Sequence, residues 1–162
     1  MPYLLPVHPL ASGERYACMA PRPDFTTLAR WFDAGDDILQ ETRMKLVGVV
    51  PGPSPVRCWP HHFDIATLLS LAPGNPETAP SVGIGMSPGD DFYVEPYFYI
   101  SPWPAPPAAA LPDLPKPGHW HTEGFVGAIA TAHEVLQQAD RRQALRRFID
   151  GAVAISRTLV GA

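Results

Sequence analysis

The chain has 162 residues, 46% of them apolar, 17% charged and 10% aromatic, which fits one globular domain and excludes a disordered tail. Its 21 prolines and 13 glycines call for short elements joined by long ordered loops and argue against a helical bundle. A formal charge of −4, with 12 Lys and Arg against 16 Asp and Glu, supplies no basic field of the kind that holds a phosphate backbone, so nucleic acid is not an expected partner.

The opening residues Met1 to Pro6 have neither the basic stretch nor the continuous apolar run of a secretion signal. No segment approaches the ~20 apolar residues needed to cross a bilayer. A cytoplasmic protein without membrane contact is expected. Cys18 and Cys58 form no CxxC unit, so neither a disulfide framework nor a structural zinc site is suggested. Residues 1–23 carry five prolines and are expected to form an extended arm on the domain surface.

A helix is predicted over 24–44. Asp24 is its candidate cap, and Phe25, Leu28, Trp31, Phe32, Ile38, Leu39 and Thr42 recur at helical spacing. The opposite face carries Asp33, Asp36, Asp37 and Glu41 and is expected to be solvated. After the Pro51–Pro55 turn, the β-branched and aromatic residues from Val56 to Leu71 predict an edge or bent strand, with Pro60 disturbing pairing near its start. Ser81–Ser87 and Asp91–Ile100, separated by Pro88-Gly89-Asp90, read as a hairpin. Alternation in its second strand puts Tyr93, Glu95, Tyr97 and Tyr99 on one face. Gly83 and Gly85, a lone pair inside a strand, indicate close packing rather than phosphate binding.

Seven prolines between 101 and 118 predict a stiff, polyproline-like crossing. A strand over 119–129 follows. Thr131-x-x-Glu134 has the form of a capping box and opens a short helix through Ala139. Asp140 with Gln143 repeats the signal for a last helix over 141–159, whose apolar side is Leu145, Phe148, Ile149, Ala152, Ile155 and Leu159. That helix also holds five of the twelve basic residues, expected to be a solvated face. The expected fold class is α+β: a mostly antiparallel sheet in one domain over 1–162, with the helices 24–44 and 141–159 packed on one face and the histidines, carboxylates and tyrosines on the other.

Four of the six histidines sit in two tight pairs, His61-His62 and His119-Trp120-His121. On a strand, His119, His121 and Glu123 share a face. The two histidine Cα atoms then lie about 7 Å apart, within joint reach of one ion, whereas Glu123 is about 14 Å from His119 and out of joint reach. Further metal ligands must come from elsewhere, and His62 with Asp64, or Glu95 on the hairpin, are the candidates beside His119 and His121. A site of two histidines and a carboxylate would suit a divalent metal, Zn or Fe, in hydrolytic or oxygenase chemistry. Without a metal, the same groups can line a small-molecule pocket or hydrogen-bond one another in a structural polar layer or interface.

Glu95, His121 and Glu123 are the candidate acid/base residues, Glu95 because burial between Tyr93 and Tyr97 would raise its pKa. Trp59, His61, Tyr93, Tyr97 and Trp103 are the candidate ligand-binding residues, Trp103 as part of an aromatic–proline wall. No Walker loop, dinucleotide fingerprint, nucleophile elbow or HExxH is present.

The segments Trp59-Pro60-His61-His62-Phe63-Asp64, Glu95-Pro96-Tyr97-Phe98-Tyr99-Ile100-Ser101-Pro102-Trp103-Pro104 and Gly118-His119-Trp120-His121-Thr122-Glu123-Gly124-Phe125 occur in this order. Together they resemble an uncharacterised family of bacterial proteins, a domain of unknown function, from about residue 24 to the last helix. The resemblance assigns no activity. It implies longer relatives with an additional N-terminal half, so that this chain corresponds to their C-terminal half and a homo-oligomer, a dimer first of all, is an expected assembly.

Overall fold

The computed structural model describes residues 23–60, 62–75 and 78–161. The expected arm, Cys18 and His61 lie outside the described residues. Helix α1 (Pro23–Lys45) is followed by strands β1 (Gly52–Pro53), β2 (Arg57–Trp59), β3 (Asp64–Ser70), β4 (Ser81–Ser87) and β5 (Tyr97–Trp103). A 3-10 turn at Ala108–Ala110 leads to β6 (His119–His121) and β7 (Gly127–Thr131), then helices α2 (Ala132–Leu136) and α3 (Arg141–Leu159). The strands form one antiparallel sheet in the order β1-β3-β4-β5-β7-β6, with β2 pairing β3 beside β1. The expected α+β architecture is the observed one.

Strand alternation sorts the side chains by face. Ile65, Leu69, Val82, Ile84, Met86, Phe98, Ile100, Ala128 and Ala130 form a core with Ile38 and Leu39 of α1 and with Leu145, Phe148, Ile149, Ala152 and Val153 of α3. At Gly35 a Cβ would stand 3.1 Å from both Ile65 Cδ1 and Met86 Cε. This glycine is what lets α1 lie close on β3 and β4.

Two predicted strands are each split because the chain turns back sooner. The predicted strand 56–71 is a hairpin. The backbone N–H groups of His62 and Phe63 both donate to the Trp59 carbonyl, at 3.1 and 2.8 Å, and Phe63 takes a left-handed φ of 53°, so β3 returns along β2. The predicted strand 119–129 is likewise a hairpin, with Thr122 to Val126 as its loop.

The second strand of the central hairpin starts only at Tyr97. Asp90 captures the N–H groups of Phe92 and Tyr93 on Oδ1 at 2.9 and 3.0 Å, which holds 88–96 as a loop. The proline-rich crossing also starts later than expected, because β5 runs through Pro102 to Trp103. Strand β7 stops pairing at Ile100, leaving one side of β5 as a sheet edge at Pro102, where a missing N–H is tolerated.

The capping signals of the two later helices hold, whereas Asp24, the candidate cap of α1, lies inside its first turn. α1 begins one residue early, with Pro23 in its first turn, a position that suits proline. Thr131 and Glu134 form the reciprocal capping box of α2, and the Asp140 side chain caps α3 by accepting from the Gln143 N–H at 2.9 Å. α2 ends at Leu136 rather than Ala139. No described helix is long and apolar enough to cross a membrane.

Candidate ligand site on the open face of the sheet

The face of the sheet away from α1 and α3 carries Asp64 and Ala66 of β3, Gly83, Gly85 and Ser87 of β4, Tyr97, Tyr99 and Ser101 of β5, and His119 and His121 of β6. Registry aligns them in rows: Ala66, Gly85 and Tyr99 are direct neighbours across three strands. A Cβ on Gly85 would stand 2.4 Å from the Tyr99 ring and hydroxyl, so that ring lies flat on the glycine. From there the Tyr99 hydroxyl donates to Asp64 Oδ2 on the next strand. Close packing is thus the role of the Gly83–Gly85 pair.

Small residues in the floor and large ones at the rim leave a cavity of about 390 Å³, lined by His62, Asp64, Ser87, Asp90, Phe92, Tyr97, Tyr99, Ser101 and Phe125. Asp64 is 6% exposed. Its Oδ1 is closed off from solvent and has no hydrogen-bond partner among the described residues. A buried acceptor left unpaired costs about 1–3 kcal/mol. Tyr97 donates to Asp90 Oδ2 at 2.6 Å. Burial above all, and then the adjoining aspartates, push the Tyr97 and Tyr99 phenols well above their ordinary pKa, so both remain hydrogen-bond donors.

Beside this cavity the two strand histidines form a closed network. The Tyr93 hydroxyl lies 3.1 Å from His119 Nε2 and 3.0 Å from His121 Nδ1. His119 Nδ1 is 2.9 Å from Glu134 Oε1, and the other oxygen of Glu134 accepts the Thr131 N–H at 2.9 Å. His121 Nε2 lies 2.5 Å from the Glu123 carbonyl oxygen. The His121 ring stacks on Phe125 at 4.2 Å and meets the edge of Phe92 at 5.0 Å, which joins the network to the cavity wall. Burial, followed by Glu134 and Asp90, raises the Tyr93 pKa as well.

The four expected metal ligands are not gathered. His119 and His121 converge on Tyr93, while His62 and Asp64 line the cavity. Among the described residues no group of three or more His, Cys, Asp or Glu side chains is placed to hold a metal ion. The hairpin turn after His121 carries Glu123 off the strand into the exposed loop, where only its backbone carbonyl meets a histidine.

Glu95 lies in the loop before β5, and its Oε2 accepts the His133 N–H at 2.7 Å in the first turn of α2. Trp59 and Trp103 are 38% and 48% exposed and lie outside the cavity wall. Tyr97 lines the cavity, and Tyr93 packs on it at 5.0 Å between ring centres. Cys58 is exposed and free.

Sequence reasoning missed Asp90, Phe92, Ser87, Ser101, Phe125 and Glu134 as site residues. Glu134 was visible only as half of a capping box; its second oxygen had no assigned partner, and that was the available signal. No protein-family model, curated protein or solved structure matches the chain. The resemblance carried by the three segments gains no support from these comparisons.

Proposed function

We propose that the protein binds a small molecule on the open face of its sheet, in the cavity over Asp64, with the histidine network as the adjoining wall. The observation that carries this reading is the Asp64 carboxylate, buried in the cavity wall with one oxygen unpartnered. Native interiors rarely leave such an oxygen without a donor, and a ligand hydrogen would supply it. The cavity volume falls in the range of small-molecule sites, about 300–1,000 Å³, and its aromatic lining with a few convergent polar groups fits the same class.

A fragment screen by saturation-transfer NMR, spanning cationic, neutral and anionic compounds, tests the reading against Ser101→Phe. Ser101 is a half-buried cavity residue, and the larger ring fills the space without cutting into the core on the opposite face. Fragments that bind the wild type and are lost in the folded variant are expected. A screen in which the two proteins bind alike rejects the site.

A second reading, in which the histidines serve structure, is favoured by the continuous Glu134–His119–Tyr93–His121 chain of contacts. Assigning them to support rather than to catalysis accounts for every one of their ring nitrogens having a neighbour within hydrogen-bond distance.

A further inference from the structure

We infer that the cavity selects a small organic ammonium ion, a primary or secondary amine on an apolar or aromatic body; this rests on reading the cavity as a binding site. Two carboxylates, Asp64 and Asp90, line it, and among the described residues neither lysine nor arginine does. The two phenolic donors of the wall are already committed, the Tyr99 hydroxyl to Asp64 and the Tyr97 hydroxyl to Asp90, which leaves the serine hydroxyls of Ser87 and Ser101 and His62 beside them. The buried group that lacks a partner is an acceptor, Asp64 Oδ1. An occupant that satisfies it must bring hydrogens.

A positive charge on that donor is favoured twice over. It offsets the two carboxylates, and it lies among the aromatic rings of Phe92, Tyr97, Tyr99 and Phe125, which attract a cation. A quaternary ammonium lacks the N–H that Oδ1 needs. Because Oδ1 is closed to water, the amine reaches it when the carboxylate turns about its broad terminal torsion, a turn that also draws Oδ2 away from the Tyr99 hydroxyl. The competing occupant is an anion drawn by Arg57, which pairs with Ala66 at the edge of the same face but lies outside the cavity wall. The volume, about 390 Å³, suits one ring with a short chain.

Isothermal titration with 2-phenylethylamine, 2-phenylethanol and 3-phenylpropionate separates these cases on closely related bodies, using wild type, Asp64→Asn and Ser101→Phe. The amine is expected to bind at least tenfold more tightly than the alcohol, with the propionate weakest. Both variants should lose at least tenfold of the amine affinity while thermal unfolding confirms that they are folded. If Asp64→Asn does not fold, Ser101→Phe alone locates the binding.

Alcohol or propionate binding as tightly as the amine, and lost in Ser101→Phe, overturns the ammonium assignment and leaves the pocket standing. Amine binding unchanged in the folded variants places it elsewhere and overturns the inference. No binding of any of the three overturns it too, and the fragment screen then judges the pocket separately.

Discussion

One hydroxyl hydrogen, on Tyr93, faces two imidazole rings. Glu134 accepts, so His119 holds its proton on Nδ1; the Glu123 carbonyl can only accept, so His121 holds its proton on Nε2. Both neutral rings then turn an acceptor toward Tyr93, which can serve one of them. One further proton, on either ring, would give every group in the chain a partner. Long-range 15N–1H NMR at neutral pH is expected to show the Nδ1–H form of His119 and the Nε2–H form of His121. Removing the shared hydroxyl with Tyr93→Phe should lower unfolding free energy by about 1–2 kcal/mol, read from urea midpoints, because two half-buried ring nitrogens lose their common partner. The pairing of His119 with His121 was legible, since positions i and i+2 on a strand share a face. Tyr93 reaching them was not: its place depends on the loop held by Asp90, a fold-back that no periodicity encodes.

At the scale of the element, α2 shows how much a short helix depends on what surrounds it. Five residues are far below the length at which a helix holds itself in water. Its first N–H groups are all taken: Ala132 donates to the Pro96 carbonyl at 2.7 Å, His133 to Glu95, and Glu134 to the Thr131 hydroxyl. The residue expected to act as a base is thus a cap supplied from a distant loop. Glu95→Ala should cost about 0.5–2 kcal/mol in urea unfolding, the range for a lost cap, with Glu95→Gln costing less because its amide oxygen can still accept. An equal loss in both variants would assign the effect to charge at the helix N-terminus instead. The capping box was readable from four residues of sequence. The contribution of Glu95 lies 38 positions upstream of the N–H it satisfies and leaves no local trace.

Across the whole molecule, Glu41 of the acidic side of α1 and Arg142 and Arg146 of α3, on faces expected to be solvated, meet one another. Arg146 binds Glu41 through Nε and an Nη at 2.8 Å, Arg142 adds a second guanidinium, and Lys45 joins Asp150 at 2.7 Å. The hydrogen bonds from Arg146 and then Arg142 draw the Glu41 pKa down from 4.5 to about 2. A carboxylate with a depressed folded pKa contributes stability that is complete above the unfolded value and fades as pH falls toward the folded one. Stability measured between pH 4.5 and pH 2 should therefore fall less steeply in Glu41→Gln than in the wild type. Identical slopes would show that the clamp does not couple the helices to pH.

The sequence by itself determined the α+β class, the caps of α2 and α3, the apolar faces of α1 and α3 and the shared face of His119 and His121, because these depend on periodicity and on contacts three or four residues apart. Only the tertiary structure decided that Tyr99 crosses Gly85 to reach Asp64, that Glu134 serves a cap and a histidine at once, and that Glu41 of α1 closes on Arg142 and Arg146 of α3. Those contacts join residues 15 to 105 positions apart, brought together by strand order and helix packing rather than by any local pattern.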